Sequence, residues 1–165
     1  MSCNTVTDNN YDIYMCSYGS NTISSNTIEE NTYGVGISSS SGNSIYYNNF
    51  VDNTNQVDGS EPDLTSNTWD DGAGSGNYWS DYEGEDDGSD GRTKGDGIGD
   101  TNLPHKDLDY YPLMHPYGME DHIRNIKDEI EEMDLEIGTE NNLLSKLEDA
   151  AKLAEKKNFK GRFRN

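Results

Sequence analysis

The feature that most constrains the fold is a repeat of asparagine and hydrophobic residues near the N-terminus. Residues 21–31 read Asn-Thr-Ile-Ser-Ser-Asn-Thr-Ile-Glu-Glu-Asn, and residues 43–53 repeat the asparagine spacing after 22 residues. The asparagines in each half are five residues apart, and the first two are followed two positions later by a hydrophobe. Such a repeat is typical of a solenoid. Because the period is short and the pattern β-like, we predict that each unit is one coil of a parallel β-helix.

The alignment of the coils rests on Asn4, Asn21 and Asn43. It places the inward side chains in four columns, which are Val6/Ile23/Ile45, Ile28/Phe50, Ile13/Val35/Val57 and Met15/Ile37. This alignment makes the first coil 17 residues long, so that one pentad is missing from it. Asparagine suits the corners because it tolerates left-handed backbone angles and its side chain can bond a stacked neighbour. We therefore predict about two to three coils over residues 1–58, incomplete at the N-terminal end.

Several motifs beyond the repeat share one family resemblance. They are Asn67-Thr-Trp-Asp70, Gly76-Asn-Tyr-Trp-Ser-Asp-Tyr82, Gly95-Asp-Gly-Ile-Gly-Asp100 and Asp109-Tyr-Tyr-Pro-Leu-Met114. With the repeats, they resemble the C-terminal end of a NosD-type right-handed parallel β-helix, as found in cell-surface and S-layer-associated proteins of methanogenic archaea. The resemblance covers about residues 4–114 and implies a mainly β fold and an extracellular, cell-surface location. It implies no single activity, because the family is defined by its architecture.

Two further segments follow the coils. Residues 59–118 are predicted to form an acidic, Gly- and Asp-rich segment that closes the β-helix. Within it, Trp69, Tyr78, Trp79 and Tyr82 are expected to cover the last coil, with stacking on sugar rings as the alternative. Residues 119–165 show hydrophobes seven apart and form the predicted helical tail, with helices over about 120–137 and 140–157 in a hairpin or coiled coil. The tail resembles helical modules of the same archaeal proteins, and it looks truncated.

The charge of the chain limits its partners. Thirty-two acidic residues against 12 basic ones give a net charge of −20, which argues against nucleic acid as a partner. No run approaches the roughly 18 apolar residues of a membrane span. The expected partners are other cell-surface proteins or the rest of a longer surface protein, since the chain opens inside a repeat without a signal peptide. Polysaccharide and self-association through the uncapped coil edge are further expectations.

The acidic loop is the predicted metal site. Its candidate ligands are Asp86, Asp87, Asp90, Asp96 and Asp100, which are interleaved with glycines. Calcium takes about 6–8 oxygen ligands from carboxylates, carbonyls and water, so calcium is the predicted cofactor. Arg92 and Lys94 interrupt the acidic pattern that the family resemblance implies, and a solvated loop without a metal is the alternative.

Copper and catalysis are the other chemistries to weigh. His105, Met114, His115, Met119 and His122 are ligand types that copper uses, but they lack close ligand spacing. The coils contain no Lys or Arg and no two carboxylates in one column, so the residue types for a polysaccharide lyase or glycosidase are missing. We expect a non-enzymatic structural or adhesive protein of the cell surface. The alternatives are a carbohydrate-binding or polysaccharide-degrading β-helix and a periplasmic-type copper-binding β-helix.

Overall fold

The computed structural model describes residues 1–17, 19–118, 121, 123–124, 126–127, 130, 133, 139, 141–149 and 152. The chain forms two compact units, Met1–Tyr117 and Gly118–Asn165. The described residues of unit 1 form nine β-strands: β1 Thr5–Thr7, β2 Tyr11–Cys16, β3 Thr22–Ser24, β4 Thr27–Glu29, β5 Tyr33–Ser38, β6 Ser44–Tyr46, β7 Asn49–Val51, β8 Asn55–Gly59 and β9 Tyr78–Trp79. It also contains the short helix α1, Glu61–Thr65, and a 3-10 turn at Ser89–Gly91. The predicted boundaries at residues 58 and 118 stay predictions.

The strands form three parallel sheets. Their orders are β1-β4-β7-β9, β2-β5-β8 and β3-β6, and every pairing is parallel. The first two coils each contribute one strand to every sheet, and the third contributes β7 and β8. Residues 22 positions apart therefore pair, as Tyr11 does with Tyr33 and Tyr33 with Asn55. This arrangement confirms the predicted parallel β-helix and its mainly β fold class.

One column of the predicted core is wrong. Val6 lies beside Ile28 and Phe50, and Ile23 lies beside Ile45. The first coil therefore keeps the same 22-residue register as the later ones, as the bonds from Asn4 to Asn26 show. No pentad is missing. The error came from aligning Asn4 with Asn21, which occupies a different corner of the coil.

The corners are built differently from the prediction. At the corners of the repeat, the left-handed residue is the one before the asparagine, and the asparagine itself is not left-handed; this holds at Asn4, Asn9, Asn21, Asn26, Asn31, Asn43, Asn48 and Asn53. Asp8, Glu30 and Asp52 have φ values of 61°, 56° and 50° at one corner, and they precede Asn9, Asn31 and Asn53. The asparagine stabilises the corner through its side chain, as predicted, but it does not supply the unusual backbone angle.

Aromatic side chains close the C-terminal end of the β-helix. Trp79 continues the column of Phe50, with the two rings stacked at 4.3 Å between centroids. Trp69 packs beside Trp79, and both are almost fully buried. Tyr82 is partly buried against this core, whereas Tyr78 lies outside it. The predicted covering role is confirmed for the two tryptophans and Tyr82.

Unit 2 is helical where it is described. Residues 141–149 form a continuous helical stretch, and residues 121, 123–124, 126–127 and 130 are also helical. Lys127 Nζ lies 3.5 Å from Glu148 Oε1, so the two helical stretches approach each other at this point. The ends of both predicted helices lie outside the described residues. No described helix is long and apolar enough to cross a membrane.

Candidate functional site

A ladder of asparagine side chains runs along the β-helix and leads to its closed end. The backbone N–H and Nδ2 of Asn26 both donate to Oδ1 of Asn48, at 3.1 and 3.0 Å. Asn48 donates in the same way to Oδ1 of Asn77. These three asparagines are buried. Each accepts from the preceding coil and donates to the following one, so the ladder has a fixed direction.

Asp109 ends this ladder. Its Oδ2 accepts from the backbone N–H of Asn77 at 2.8 Å and from Nε1 of Trp79 at 2.9 Å, and its Oδ1 accepts from the backbone N–H of Tyr111 at 2.9 Å. An ionised carboxylate only accepts hydrogen bonds, so it has no donor with which to continue the ladder. Burial raises the pKa of Asp109, and the bonds from Trp79 and Asn77 act against that rise.

Gly76 makes room for Asp109. A Cβ atom at residue 76 would lie 2.1 Å from Oδ1 and 2.5 Å from Oδ2 of Asp109. The backbone of Gly76 is also held, since its N–H donates to the carbonyl of Tyr111. Three residues of the Gly-Asn-Tyr-Trp motif thus have separate roles. Gly76 leaves space for Asp109, Asn77 is the last asparagine of the ladder, and Trp79 covers the core.

The acidic loop is organised by hydrogen bonds to its own backbone. Asp86 accepts from the N–H groups of Gly95 and Gly97, and Asp100 Oδ2 accepts from the N–H of Gly88 at 2.6 Å. Asp100 is also almost fully buried. These two carboxylates bond to residues 9 to 12 positions away in the chain, and so they tie the loop together.

The other three predicted ligands are at turns. Asp87 Oδ1 accepts from the N–H of Ser89, and Asp96 Oδ1 accepts from that of Ile98, both at 2.9 Å. The hydroxyl of Ser89 lowers the pKa of Asp87. Asp90 has a left-handed φ of 55° inside the 3-10 turn. Among the described residues, no group of three or more His, Cys, Asp or Glu side chains could hold a metal ion.

The candidate copper ligands are also apart from one another. His105 Nε2 lies 3.2 Å from Asp81 Oδ1, and its ring contacts those of Trp79 and Tyr82. Burial lowers the pKa of His105. Lys106 Nζ lies 2.6 Å from the other oxygen of Asp81, so a cation already occupies this carboxylate. His115 is exposed and Met114 is half-buried, while Met119 and His122 lie outside the described residues.

The cysteines give no sulfur site. Cys3 and Cys16 are free thiols and both are exposed. The neighbouring Met15 is buried in the core, on the other face of β2 from Cys16. The described donor set thus does not fit a bound copper ion, which takes several converging nitrogen or sulfur ligands.

Sequence reasoning missed a tyrosine cluster on the β2–β5–β8 sheet. Tyr11 and Tyr33 are stacked at 4.6 Å, and Tyr14 meets Tyr11 edge-on at 5.2 Å. Tyr11 donates from its hydroxyl to Asp58 Oδ2 at 2.7 Å, which raises the pKa of Tyr11 to about 12. Gly36 leaves the space that these rings fill. The 22-residue spacing of Tyr11 and Tyr33 was the available signal for this cluster.

Comparison with known proteins gives one family match. Residues 1–84 match the model of the NosD family, described as periplasmic copper-binding protein. No curated protein and no solved structure matches the chain. The family description names copper, so the prediction of calcium as cofactor is wrong. The contacts give a physical reason: at least four of the five aspartates that suggested calcium accept hydrogen bonds from the loop's own backbone.

Proposed function

The chain belongs to the NosD family of periplasmic copper-binding proteins, and from that premise we propose that it is the closing end of a non-enzymatic β-helical scaffold that works outside the cytoplasm. Its role is structural or adhesive. The single observation that carries this proposal is the end of the asparagine ladder at Asp109, where the polar side chains of the closing segment serve to complete the fold. The family description supports a location outside the cytoplasm.

The acidic segment supports a scaffold role. The carboxylates of Asp86, Asp100 and Asp109 each accept from backbone N–H groups of the segment. A charged hydrogen bond of this kind contributes about 1.5–3 kcal/mol when it is made. Groups engaged in this way stabilise the closure, and a ligand that needed them would have to displace those bonds.

The tyrosine cluster supports the adhesive part of the proposal. Tyr14 is 55% exposed, although its ring packs against that of Tyr11. Exposed tyrosines on a rigid sheet provide large contact area at a low entropic cost. The β2–β5–β8 sheet therefore offers a surface for a macromolecular partner, with polysaccharide or protein as the candidates.

Copper binding is the second candidate function, because the family description names it. When bound, copper would supply redox or metal-storage chemistry to the protein. His105 and Asp81 are the described nitrogen and oxygen donors that lie together, but Lys106 also holds Asp81. The described residues thus favour the scaffold, and the family description favours copper.

A copper titration separates the two functions. The full chain is equilibrated with Cu(II), and with Cu(I) under anaerobic conditions, and bound metal is measured after removal of the free ion. The scaffold proposal expects well below one copper per chain with either ion. His105→Asn is compared with Asp107→Asn, an exposed acid that is close to His105 in the chain.

Stoichiometric copper would overturn the proposal that the described unit is a scaffold only. If His105→Asn removed that copper and Asp107→Asn did not, the site would include His105. If both variants kept it, the ligands would lie elsewhere in the chain. In either case copper binding would become the function of this protein.

A further inference from the structure

A cleft opens in the closing segment of unit 1. Its volume is about 320 Å³, and the residues that line it include Arg92, Thr93, Asp96, Asp100 and Tyr111. We propose that this cleft binds one neutral sugar residue of a polysaccharide. The choice of a sugar ring rests on the cleft itself, whereas the choice of a polysaccharide rests on the proposed adhesive role.

Arg92 brings a positive charge to the cleft. Residues 58–100 contain 13 acids against two bases, yet Arg92 forms no salt bridge with any residue that the structure describes. A buried or half-buried cation is normally paired with a carboxylate. The Arg92 guanidinium is therefore available to a ligand.

Three contacts hold the Arg92 side chain in place. Its Nη2 donates to the carbonyl of Tyr110 at 3.0 Å, and its Nη1 lies 3.5 Å from the carbonyl of Gly99. The guanidinium also lies over the ring of Tyr111, 5.0 Å from the centroid. Since a guanidinium carries five N–H donors in a planar fork, donors remain beyond those two contacts. A side chain that is ordered in advance binds a ligand at a lower entropic cost.

Two carboxylates of the cleft each keep one oxygen for a ligand. Asp96 accepts the N–H of Ile98 on Oδ1, and Asp100 accepts the N–H of Gly88 on Oδ2. Within the described part of the chain, no donor bonds to Oδ2 of Asp96 or to Oδ1 of Asp100. A ligand that bonds to these two oxygens leaves the hydrogen bonds of the closing segment intact.

The donors and acceptors together indicate a ligand that carries hydroxyl groups. A hydroxyl both donates and accepts hydrogen bonds, so neighbouring hydroxyls satisfy the guanidinium and the two carboxylates at once. A carboxylate or phosphate ligand would bond to Arg92 but not to Asp96 or Asp100, because ionised oxygens only accept. An ammonium ligand has the opposite defect, since it only donates. A neutral sugar ring meets all three requirements.

The size and the apolar surface of the cleft fit a single ring. Pockets for small molecules run from about 300 to 1,000 Å³, and this cleft is near the lower limit. Ile98 and Tyr111 line it beside the polar groups. A sugar ring has hydroxyls at its edge and C–H groups on its faces, and so it matches a lining of this mixed kind.

The test measures binding of the methyl glycosides of glucose, mannose and galactose to the full chain by saturation-transfer and titration NMR. We expect at least one of them to bind with a dissociation constant on the order of 1 mM, because a single sugar ring offers few contact atoms. Amide signals of residues 92–100 should shift on binding. Methyl glucuronide, which adds a carboxylate, should bind more weakly because Asp96 and Asp100 repel it.

Two matched pairs of variants locate the ligand. Arg92→Gln should weaken binding by about tenfold or more, whereas Lys94→Gln removes a nearby exposed cation and should leave binding unchanged. Asp96→Asn keeps an acceptor for the N–H of Ile98 but turns the free oxygen into a donor, so it should weaken binding several-fold. Asp90→Asn, a change at an exposed acid of the same loop, is its control. The second pair tests the proposal even where Arg92→Gln does not fold.

The disaccharide of the sugar that binds separates a polysaccharide from a free sugar. If the natural ligand is one residue within a chain, the disaccharide should bind at least as tightly as the methyl glycoside. A disaccharide that does not bind would overturn the choice of a polysaccharide.

Three further results would overturn the inference. They are no binding of any of the three glycosides well above the millimolar range, unchanged binding in both Arg92→Gln and Asp96→Asn, and tighter binding of methyl glucuronide than of the neutral glycosides. Binding that Tyr14→Ala abolishes and Arg92→Gln retains would assign the sugar to the tyrosine cluster instead. None of these measurements depends on copper, so this inference and the scaffold proposal can fail separately.

Discussion

Asparagine and aspartate have nearly the same shape, yet they act differently in this β-helix. Asn77 accepts at Oδ1 from Asn48 and donates its backbone N–H and its Nδ2 to Asp109, so it connects the coil before it to the segment after it. Asp109 receives its bonds on both carboxylate oxygens. A change of one atom in the side chain thus separates a residue that continues the ladder from one that ends it.

The sequence could not show this use of aspartate. A Gly- and Asp-rich loop has the same composition whether its carboxylates bind a metal ion or its own backbone. Asp86 bonds to Gly95 and Gly97, and such contacts depend on how the loop folds. The sequence therefore indicated that the five aspartates lie in one loop, but it did not indicate that their carboxylates bond to the loop's own backbone.

Asp12 gives a prediction at the scale of one residue. Burial raises its pKa from 3.8 to about 6. Because the folded state holds this proton more tightly than the unfolded state, Asp12 destabilises the fold as the pH rises from about 4 through 6. We expect Asp12→Asn to be more stable than the original chain at pH 7, by on the order of 1 kcal/mol, with the difference fading toward pH 4.

The measurement is urea unfolding of both proteins across this pH range. Asp8→Asn, an exposed change in the same coil, serves as the control for the loss of one negative charge. If Asp12→Asn and the original chain had the same free energy of unfolding at every pH, the Asp12 carboxylate would not be in an unfavourable site.

At the scale of the elements, the coils were predictable because each strand repeats at a fixed spacing. Ile13, Val35 and Val57 lie in one column, as the sequence alignment predicted. The first coil was misaligned because Asn4 could match either Asn21, later in the same coil, or Asn26 in the next coil. The pairing of Val6 with Ile28 and the bonds from Asn4 to Asn26 resolve this choice, and such pairing is a property of the whole sheet.

The closing segment was harder to predict in detail. The tryptophans indicated a cover for the last coil, since large aromatic side chains in a polar segment need a place to be buried. The role of Asp109 had no local signal, because its partner Asn77 is 32 residues earlier in the chain. Asp109 does not belong to an asparagine pentad, so the repeat pattern gave no indication that it ends the ladder.

Gly76 gives a prediction for this closing segment. Gly76→Ala places a methyl group where Asp109 now lies, with Cβ 2.1 Å from Oδ1. The carboxylate or the backbone must move, which breaks bonds to Asn77 and Trp79. We expect a loss of roughly 2 kcal/mol or more in the free energy of unfolding, together with faster proteolysis within residues 84–114.

Gly118→Ala is the matched control. A Cβ there would come no closer than 3.8 Å to another atom, Asp121 Oδ2. Its unfolding and proteolysis should resemble those of the original chain. Equal stability of the two variants would mean that Asp109 does not hold the closure.

At the scale of the whole molecule, charge is the property that the sequence predicts most directly. The chain carries a net charge of −20, and residues 58–100 contain 13 acids against two bases. Several of those acids are held close together by the loop's own hydrogen bonds. Their mutual repulsion opposes the compact state.

Monovalent salt should therefore stabilise this protein. The Debye length falls from about 30 Å at 0.01 M salt to about 3 Å at 1 M, so most repulsion between exposed carboxylates is screened at the higher concentration. We expect the melting temperature to rise by several degrees over this range, equally in sodium and potassium chloride. Glu83→Lys, a change at an exposed position of the acidic segment, should raise the melting temperature in low salt and have little effect in high salt. A melting temperature that fell with salt, or a Glu83→Lys effect that persisted in high salt, would show that packing and not charge limits the stability of the closed end.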